Sequence, residues 1–489
     1  MSLITAILIF FPLASIPILY LVKQEHVKMA SLASTLVSLV LSLFVVLNFQ
    51  IIPDTQFLLD YWWIESLGIS FKVGIDGISL LMVLLTNFLM PLVVISNMNR
   101  DQTHVRHYHA MILATQMAFI GVFTSLDGFL FYIFWELSLI PMYFISLFWG
   151  KERRIPVTFK FFLYTLTGSL ILLVALIYLY LQTPAPHSFD IEAFKNLNLS
   201  LAEQSLIFWG LFLGFAIKVP LFPLHGWLPD THTEAPTQGT LLLAGVMLKM
   251  GIYGVIRWLL PIVPEGVMEW KDWAITLGVI GIIYASCIAI VQKDFKRLIA
   301  FSSIGHLGLT IAGIFALNIQ GLQGGLLQAV NHGITSVGLF FVADIIYDRM
   351  HTREISKLGG IVHKAPTMAI FFMIMLLGSI GLPLTNGFVG EFLLFLGLYQ
   401  YNVWFTAVAG LGIILGAVYM LRSYQRVMLG ETNSHTEEFT DMLMSEKVVL
   451  GALAVAVFAI GIYPKMLLSY AEPALVQILE QYSTLLTLN

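Results

Sequence analysis

Six ionisable side chains stand inside otherwise apolar stretches of this 489-residue chain. They are Glu136 in YIFWELSLIPMYF, Lys218 in LGFAIKVPLFPLHGWLPDTHTEAPTQ, Lys249 in AGVMLKMGIYG, His306 in SSIGHLGLT, His332 in QAVNHGITS and Glu391 in GFVGEFLLF. A charge at the centre of a bilayer costs about 2.5–3.5 kcal/mol even on the lenient insertion scale, so six of them require a compensating role. Taken singly, each has a plain structural use: Glu136 and Lys218 as an ion pair that holds helices together, Lys249 snorkelling, the histidines donating to carbonyls. Taken together, acids, bases and imidazoles spread over so many helices point to proton transfer. A carboxylate 4 Å from an ammonium at an effective dielectric of 20 is coupled to it by about 4 kcal/mol, and by about half that at 8 Å. Opening such a pair is therefore enough to load or release a proton. The expected roles are Glu136 as modulator, Lys218 as proton carrier, Lys249 and the two histidines as relays, and Glu391 toward the exit.

The residues around Lys218 fit that use. Pro220, Pro223, Pro229 and Pro236 follow it closely, so the helix must break there, freeing carbonyls and admitting water with which a lysine can exchange protons. A second break is expected in SIGLPLTNGFVGEFL, where Gly378, Gly381, Gly387 and Gly390 surround Pro383. Pro220 and Pro383 share the pattern Ile-x-hydrophobic-Pro-Leu, and paired breaks of this kind mark inverted-repeat transporters.

The elements that must position these groups are membrane helices. The chain is 58% hydrophobic and 11% charged, against about 25% charged in soluble domains, and its mean hydropathy is +0.86. The reading is an all-α polytopic membrane protein of about 14 transmembrane helices, each about 20 residues long. It divides into N-terminal helices 1–3 (1–108), two inverted-topology five-helix repeats (109–260 and 261–430), each with a broken helix, and a C-terminal loop and helix (431–489). Alternating the loops places 18 of the 25 lysines and arginines on one side, which the positive-inside rule makes cytoplasmic; both termini then lie outside. The first apolar segment, Leu3 to Val22, has no basic residue before it and no cleavage site after it, so it reads as a retained helix. A net charge of -4 without a dense basic block argues against nucleic acid, and a single cysteine, Cys287, excludes a disulfide framework or a four-cysteine cluster. No glycine-rich dinucleotide fingerprint and no strand pattern to hold one is found.

Five segments carry a resemblance. GIDGISLLM from Gly74, FWELSLIPMYF from Phe134, KVPLFPLHGWLPDTHTEAP from Lys218, SSIGHLGL from Ser302 and GFVGEFLLF from Gly387 resemble, in this order, the antiporter-like membrane subunits of respiratory complex I. That family also includes Mrp-type cation/proton antiporter subunits and chains of energy-converting hydrogenases. Glu391 stands where most relatives carry lysine, and the chain ends at Asn489 without a long lateral helix; both are traits of one branch of the family. The resemblance implies that Glu136 and Lys218 form the coupled pair, that Lys249, His306 and His332 form a central hydrophilic axis, and that Glu391 ends the half-channel. It also implies a non-redox, proton-translocating part of an NADH:quinone oxidoreductase in a bacterial cytoplasmic membrane. FMN, iron–sulfur clusters and quinone would then lie in partner subunits, with no cofactor or metal in this chain. Its partners would be other membrane-arm subunits, especially two neighbouring antiporter-like chains, and the lipid bilayer. Against this stand an Mrp-type antiporter or hydrogenase subunit, a cytochrome with His306 and His332 as haem ligands, and a non-transporting scaffold.

Overall fold

The computed structural model describes residues 2–488. Among them, twelve helices are long and apolar enough to cross a membrane. Two further elements stand with them: the helix Val105–Thr124, and an interrupted helix made of Pro366–Ser379 and Asn386–Tyr401. Short polar residues start several of these helices by accepting bonds from otherwise unpaired amides. Asp127 accepts from the amides of Phe129 and Leu130, both at 3.0 Å, and Asn318 from that of Gly321 at 2.9 Å. Asp294 does the same for Arg297 at 2.9 Å, and Asn402 for Trp404 at 2.8 Å.

The loops fall into two sets, each knit within itself. On one face, the Lys151 amide bonds to the Glu234 carbonyl, Asp294 pairs with Glu354 in a β-bridge, and the Gly360 amide bonds to the Leu429 carbonyl. On the other face, Asp127 bridges Asp190 and Asn318 donates to the Gly397 carbonyl at 2.8 Å. These are the two sets that the basic-residue count separates. The first is the lysine- and arginine-rich face; the second carries a β-hairpin and is called here the hairpin face.

That hairpin, Gln56–Ile64 paired with Ile69–Ile75, is absent from the sequence reading, which finds no strand pattern. Its turn needs Gly68, whose φ of 60° is left-handed. Tyr61, Trp62 and Trp63 stand exposed on it. The chain also departs from the expected last span. That helix, Met444–Ile462, stops before Pro464, and a separate helix, Lys465–Leu488, turns back across the hairpin face. There Tyr482 donates to the Leu260 carbonyl at 2.6 Å, and Gly77 packs against the Tyr470 backbone.

Burial sorts the helices into centre and periphery. The most apolar stretches of Thr237–Ile262 and Ile319–Met350 are wholly buried, whereas 22% of that of Val403–Met428 is. The two central helices carry Lys249 and His332, so the most enclosed part of the protein is also where its costly polar groups stand.

Both expected breaks occur. The helix Leu201–Lys218 ends at the lysine, and the chain resumes as the short helix Leu228–Glu234; the second break lies between Ser379 and Asn386. The two interrupted helices run in opposite senses, the first toward the basic face and the second toward the hairpin face. The freed carbonyls find new partners. Trp227 Nε1 donates to the Ile217 carbonyl at 3.0 Å and the Leu221 amide to that of Ala216 at 2.8 Å. At the second break the Leu382 amide donates to the Leu377 carbonyl at 3.0 Å, and Asn331 Nδ2 fastens the start of the second half by donating to the Asn386 carbonyl at 2.6 Å. The breaks therefore leave less open backbone than the prolines suggest, as a low-dielectric surrounding requires.

Candidate functional site

Lys249 sits on a helical segment, Leu248–Gly254, flanked by two π-helical stretches, Leu243–Met247 and Val255–Leu259. Such widened turns release backbone groups and recur at functional sites. Here the Ala244 carbonyl accepts from Lys249 Nζ and also from Ser336 Oγ at 3.3 Å. The same Nζ lies 2.9 Å from Nδ1 of His332. The His332 ring stands 5.9 Å, centroid to centroid, from that of His306. His306 in turn places Nδ1 2.9 Å from the Glu391 carboxylate and Nε2 3.4 Å from Ser379 Oγ. Four of the six expected residues, from four different helices, thus form one row: Lys249, His332, His306, Glu391.

A cavity of about 30 Å³ lies against His306, Glu391, Ser379 and Tyr419. That is room for about one water molecule, which needs roughly 10–15 Å³ by this measure. Gly381 packs against the Glu391 carboxylate. Its φ is 69°, and a Cβ there would stand 2.9 Å from a Glu391 carboxylate oxygen.

Glu136 and Lys218 form a separate unit. Lys218 is 2% exposed, and its ammonium lies 5.1 Å from the centroid of Trp135, the neighbour of Glu136, within the range of a cation–π attraction. Glu136 is the carboxylate whose charge acts on Lys218; its Oε1 is buried and has no hydrogen-bond partner among the described residues. The Lys218 and Lys249 helices pack tightly where a Cβ on Gly251 would meet Val219 and the Phe215 carbonyl. No hydrogen bond is found among the described residues between this pair and the row of four.

Three bases and an acid set in a row can exchange protons stepwise; here the Lys249–His332 and His306–Glu391 steps are hydrogen bonds, and the His332–His306 step crosses a ring-to-ring distance of 5.9 Å. Residues 125–416 match the family model described as NADH:quinone oxidoreductase/Mrp antiporter, TM. NADH-quinone oxidoreductase subunit M of Rickettsia prowazekii (strain Madrid E) is 42% identical over 476 residues, covering 95% of this chain and 96% of that protein. This chain belongs to the subunit M family.

Other members lie further off. Subunit M of Rhodobacter capsulatus is 39% identical, over 98% of this chain and 96% of that protein. The NADH-ubiquinone oxidoreductase chain 4 of Arabidopsis thaliana is 37% identical, over 94% of each. A chain in the structure described as respiratory complex I from Thermus thermophilus with bound NADH superposes with a TM-score of 0.89 at 28% identity, over 97% of this chain and 99% of that one. The Mrp complex from Dietzia sp. DQ12-45-1b shares the fold alone, with a TM-score of 0.84 at 18% identity over 98% of each chain.

In this subunit M family member the polar interior extends beyond the six expected residues. His232, on the short helix after the first break, is wholly buried, and neither ring nitrogen has a partner among the described residues. Its ring stacks on Phe340 at 4.4 Å, within the electrostatic reach of both Lys249 and Lys296. Lys296 pairs with Asp344 at 3.1 Å, and both are buried. Neither residue is among the six expected from the sequence. Nearer the basic face, Lys151 holds its ammonium 3.1 Å above the Tyr347 ring and within the field of Lys296 and Asp344. Burial lowers Lys151 most, Lys296 lowers it further and Asp344 pulls it partly back, leaving it at about 7. The short helix is stapled in place. Asp230 bonds to Lys160 at 2.8 Å and to Arg297 at 2.7 Å, and Arg353 donates to the Thr233 carbonyl at 2.7 Å. His232 lies within the quoted motif KVPLFPLHGWLPDTHTEAP, but proline spacing reads that stretch as a connector and gives no sign that it folds back into the interior.

Proposed function

We propose that this chain is the proton-pumping, antiporter-like subunit of the membrane arm of an NADH:quinone oxidoreductase. It moves protons through buried groups while electrons pass from NADH to quinone in other subunits. The observation that carries this reading is the row Lys249–His332–His306–Glu391, in which each member meets the next by hydrogen bond or ring contact. Protons enter from the basic face past Lys151 and the Lys296–Asp344 pair, with His232 as the bridge to Lys249. Glu136 sets the charge state of Lys218, and Lys218 communicates with the row as the proton carrier beside it. Glu391 ends the row.

Counting Val105–Thr124 and the interrupted helix with the twelve long helices gives fourteen passes. The parts 1–108, 109–260, 261–430 and 431–489 then follow as the N-terminal helices, two opposed repeats and the final pass with its return helix. The basic face is cytoplasmic by the positive-inside rule, which places the hairpin face outside. FMN, iron–sulfur clusters and the quinone site belong to partner subunits, and two antiporter-like chains flank this one.

The test is to tag this chain, purify it from native membranes in mild detergent, and record flavin and iron–sulfur spectra together with NADH-dependent quinone reduction. Cofactors and activity that travel with the tag support the reading. A Lys218→Ala variant must then lose coupled proton translocation. A colourless complex of hydrophobic subunits alone would transfer the assignment to the Mrp-type or hydrogenase-type alternative.

A further inference from the structure

A second line of polar groups leaves Lys249 in the opposite direction from His232, and the row above does not use it. Tyr253 and Arg257 follow Lys249 at successive intervals of four residues, which on a helix places them one above another, about 6 Å apart along the axis. Tyr253 is wholly buried. Its hydroxyl donates to the Phe123 carbonyl at 3.0 Å and lies 3.2 Å from Ser79 Oγ. Arg257 pairs with the buried carboxylate of Asp76 and stands 3.4 Å from the same Ser79 hydroxyl. Asp76 also caps its own helix, accepting from the amides of Ile78 and Ser79 at 3.1 and 2.9 Å. Beyond the ion pair lies a cavity of about 410 Å³ on the hairpin face. Its walls include Lys72, Glu192, Lys195 and Gln477 beside Asp76 and Arg257. A space of that size and polarity holds many waters.

Two features of this line are costly without a use. A buried ion pair seldom repays its desolvation through stability alone, and Arg257 Nε is buried with no partner among the described residues. A hydroxyl poised between two acceptors, one a dead-end carbonyl and the other the start of a chain to a carboxylate, is a two-position proton switch. We infer that Tyr253, Ser79 and Asp76 form a second proton exit, from Lys249 to the vestibule on the hairpin face, which the Asp76–Arg257 pair holds closed. This rests on the proton-pumping reading above and adds a route to it.

The transfer balances without any further reactant. Lys249 Nζ swings from the Ala244 carbonyl toward the Tyr253 hydroxyl one turn along the helix, while that hydroxyl turns from the Phe123 carbonyl toward Ser79 and accepts a proton from the ammonium. Tyr253 passes its own proton to Ser79 Oγ, which passes its own to Asp76. Asp76, released by Arg257 while it carries the proton, gives it to vestibule water and pairs with Arg257 again. Tyrosine and serine end as they began, Lys249 ends neutral, and arginine stays charged throughout.

The experiment uses the intact complex in proteoliposomes, with NADH oxidation and proton movement recorded together. Tyr253→Phe keeps the ring in its edge-on contact with Phe123 at 5.2 Å and removes only the hydroxyl. Loss of a positioned proton relay slows transfer by about 10²-fold, so the protons moved per NADH fall to what the remaining exits supply while quinone reduction continues. An unchanged ratio in Tyr253→Phe overturns this exit and leaves the pumping reading intact, whereas wild-type complex that oxidises NADH without moving protons sinks the pumping reading itself. Asp76→Asn is the companion variant, expected to lower the ratio in the same way. Because its failure to assemble would be uninformative, vestibule access is read separately. In a Cys287→Ser background, Gln477→Cys must react with a membrane-impermeant maleimide added from the hairpin side of oriented vesicles. Protection from that side overturns the proposal.

Discussion

Nζ of Lys249 and Nδ1 of His332 lie 2.9 Å apart although 83 residues separate them in the chain. This contact, with the bond from Ser336 Oγ to the Ala244 carbonyl, joins the two most enclosed helices among the described residues at their most polar point. Replacing His332 with alanine removes both the side-chain partner of Lys249 and the contact to His306, so the row is cut in its middle. Transfer along the row is expected to fall by about 10²-fold, the usual worth of a positioned acid–base group. In a Tyr253→Phe background, where the exit through Tyr253 is closed, Lys249→Ala should cost no further proton translocation in vesicles when His332 is already absent, since both act in one relay. A double variant whose losses simply multiply would show that the two residues work independently.

Glu391 offers a second check, through its neighbours. His306 holds its carboxylate at 2.9 Å, and Gly381 leaves room for it. Gly381→Ala places a methyl group against the carboxylate at a left-handed φ, a strain of roughly 1–2 kcal/mol, and pushes Glu391 off the imidazole. Translocation should drop with assembly retained, and Gly381→Ala should add little to Glu391→Gln. Equal translocation by Gly381→Ala and the wild type would mean that the Glu391–His306 bond is not on the path.

How much of this was legible without coordinates differs from residue to residue. The cost of burying a charge singled out Glu136, Lys218, Lys249, His306, His332 and Glu391, and prolines that cannot continue a helix located both breaks. Spacing along the chain carries no information on which helix faces which, so the row from Lys249 to Glu391 could not be drawn. His232 and Asp344 escaped for a related reason. Each lies near a helix end or a proline, where sequence position suggests solvent, and only packing shows that Phe340 and Lys296 cover them. The hairpin escaped because its tryptophans and isoleucines read as part of an apolar landscape in which period-2 alternation does not stand out.

Lys151 predicts a pH dependence. On the folded protein it titrates at about 7, lowered chiefly by burial and then by Lys296, and Arg353, Asp294 and Asp344 also face it. As pH on the basic face rises through 7 its proton is lost, and proton uptake through this entry should decline along a limb of that midpoint. Lys151→Gln should abolish that limb. The stability effect has the opposite sense. Between about 7 and the ordinary lysine range the unfolded chain binds more protons than the folded one, so this residue makes the protein more stable as pH rises through that window. Denaturation measured at several pH values in both proteins tests the slope, which should flatten in the variant.

Lys296 and Asp344 allow structure and transport to be separated. They pair at 3.1 Å with almost no exposure. Asp344→Ala leaves the lysine charge buried and unpaired, a loss of about 3–5 kcal/mol, and the expected result is poor assembly of the complex and a lower unfolding temperature. Replacing both members, Lys296→Met with Asp344→Leu, removes the unpaired charge and fills the space, so assembly should return toward the wild-type level because apolar substitutes for a buried pair are often neutral or better. Proton uptake should not return with it, because the link between Lys151 and His232 has been taken away. A double variant that assembles and translocates normally would make the pair a structural fastening and move the entry path elsewhere. One that assembles, reduces quinone and fails to translocate would place the pair on that path.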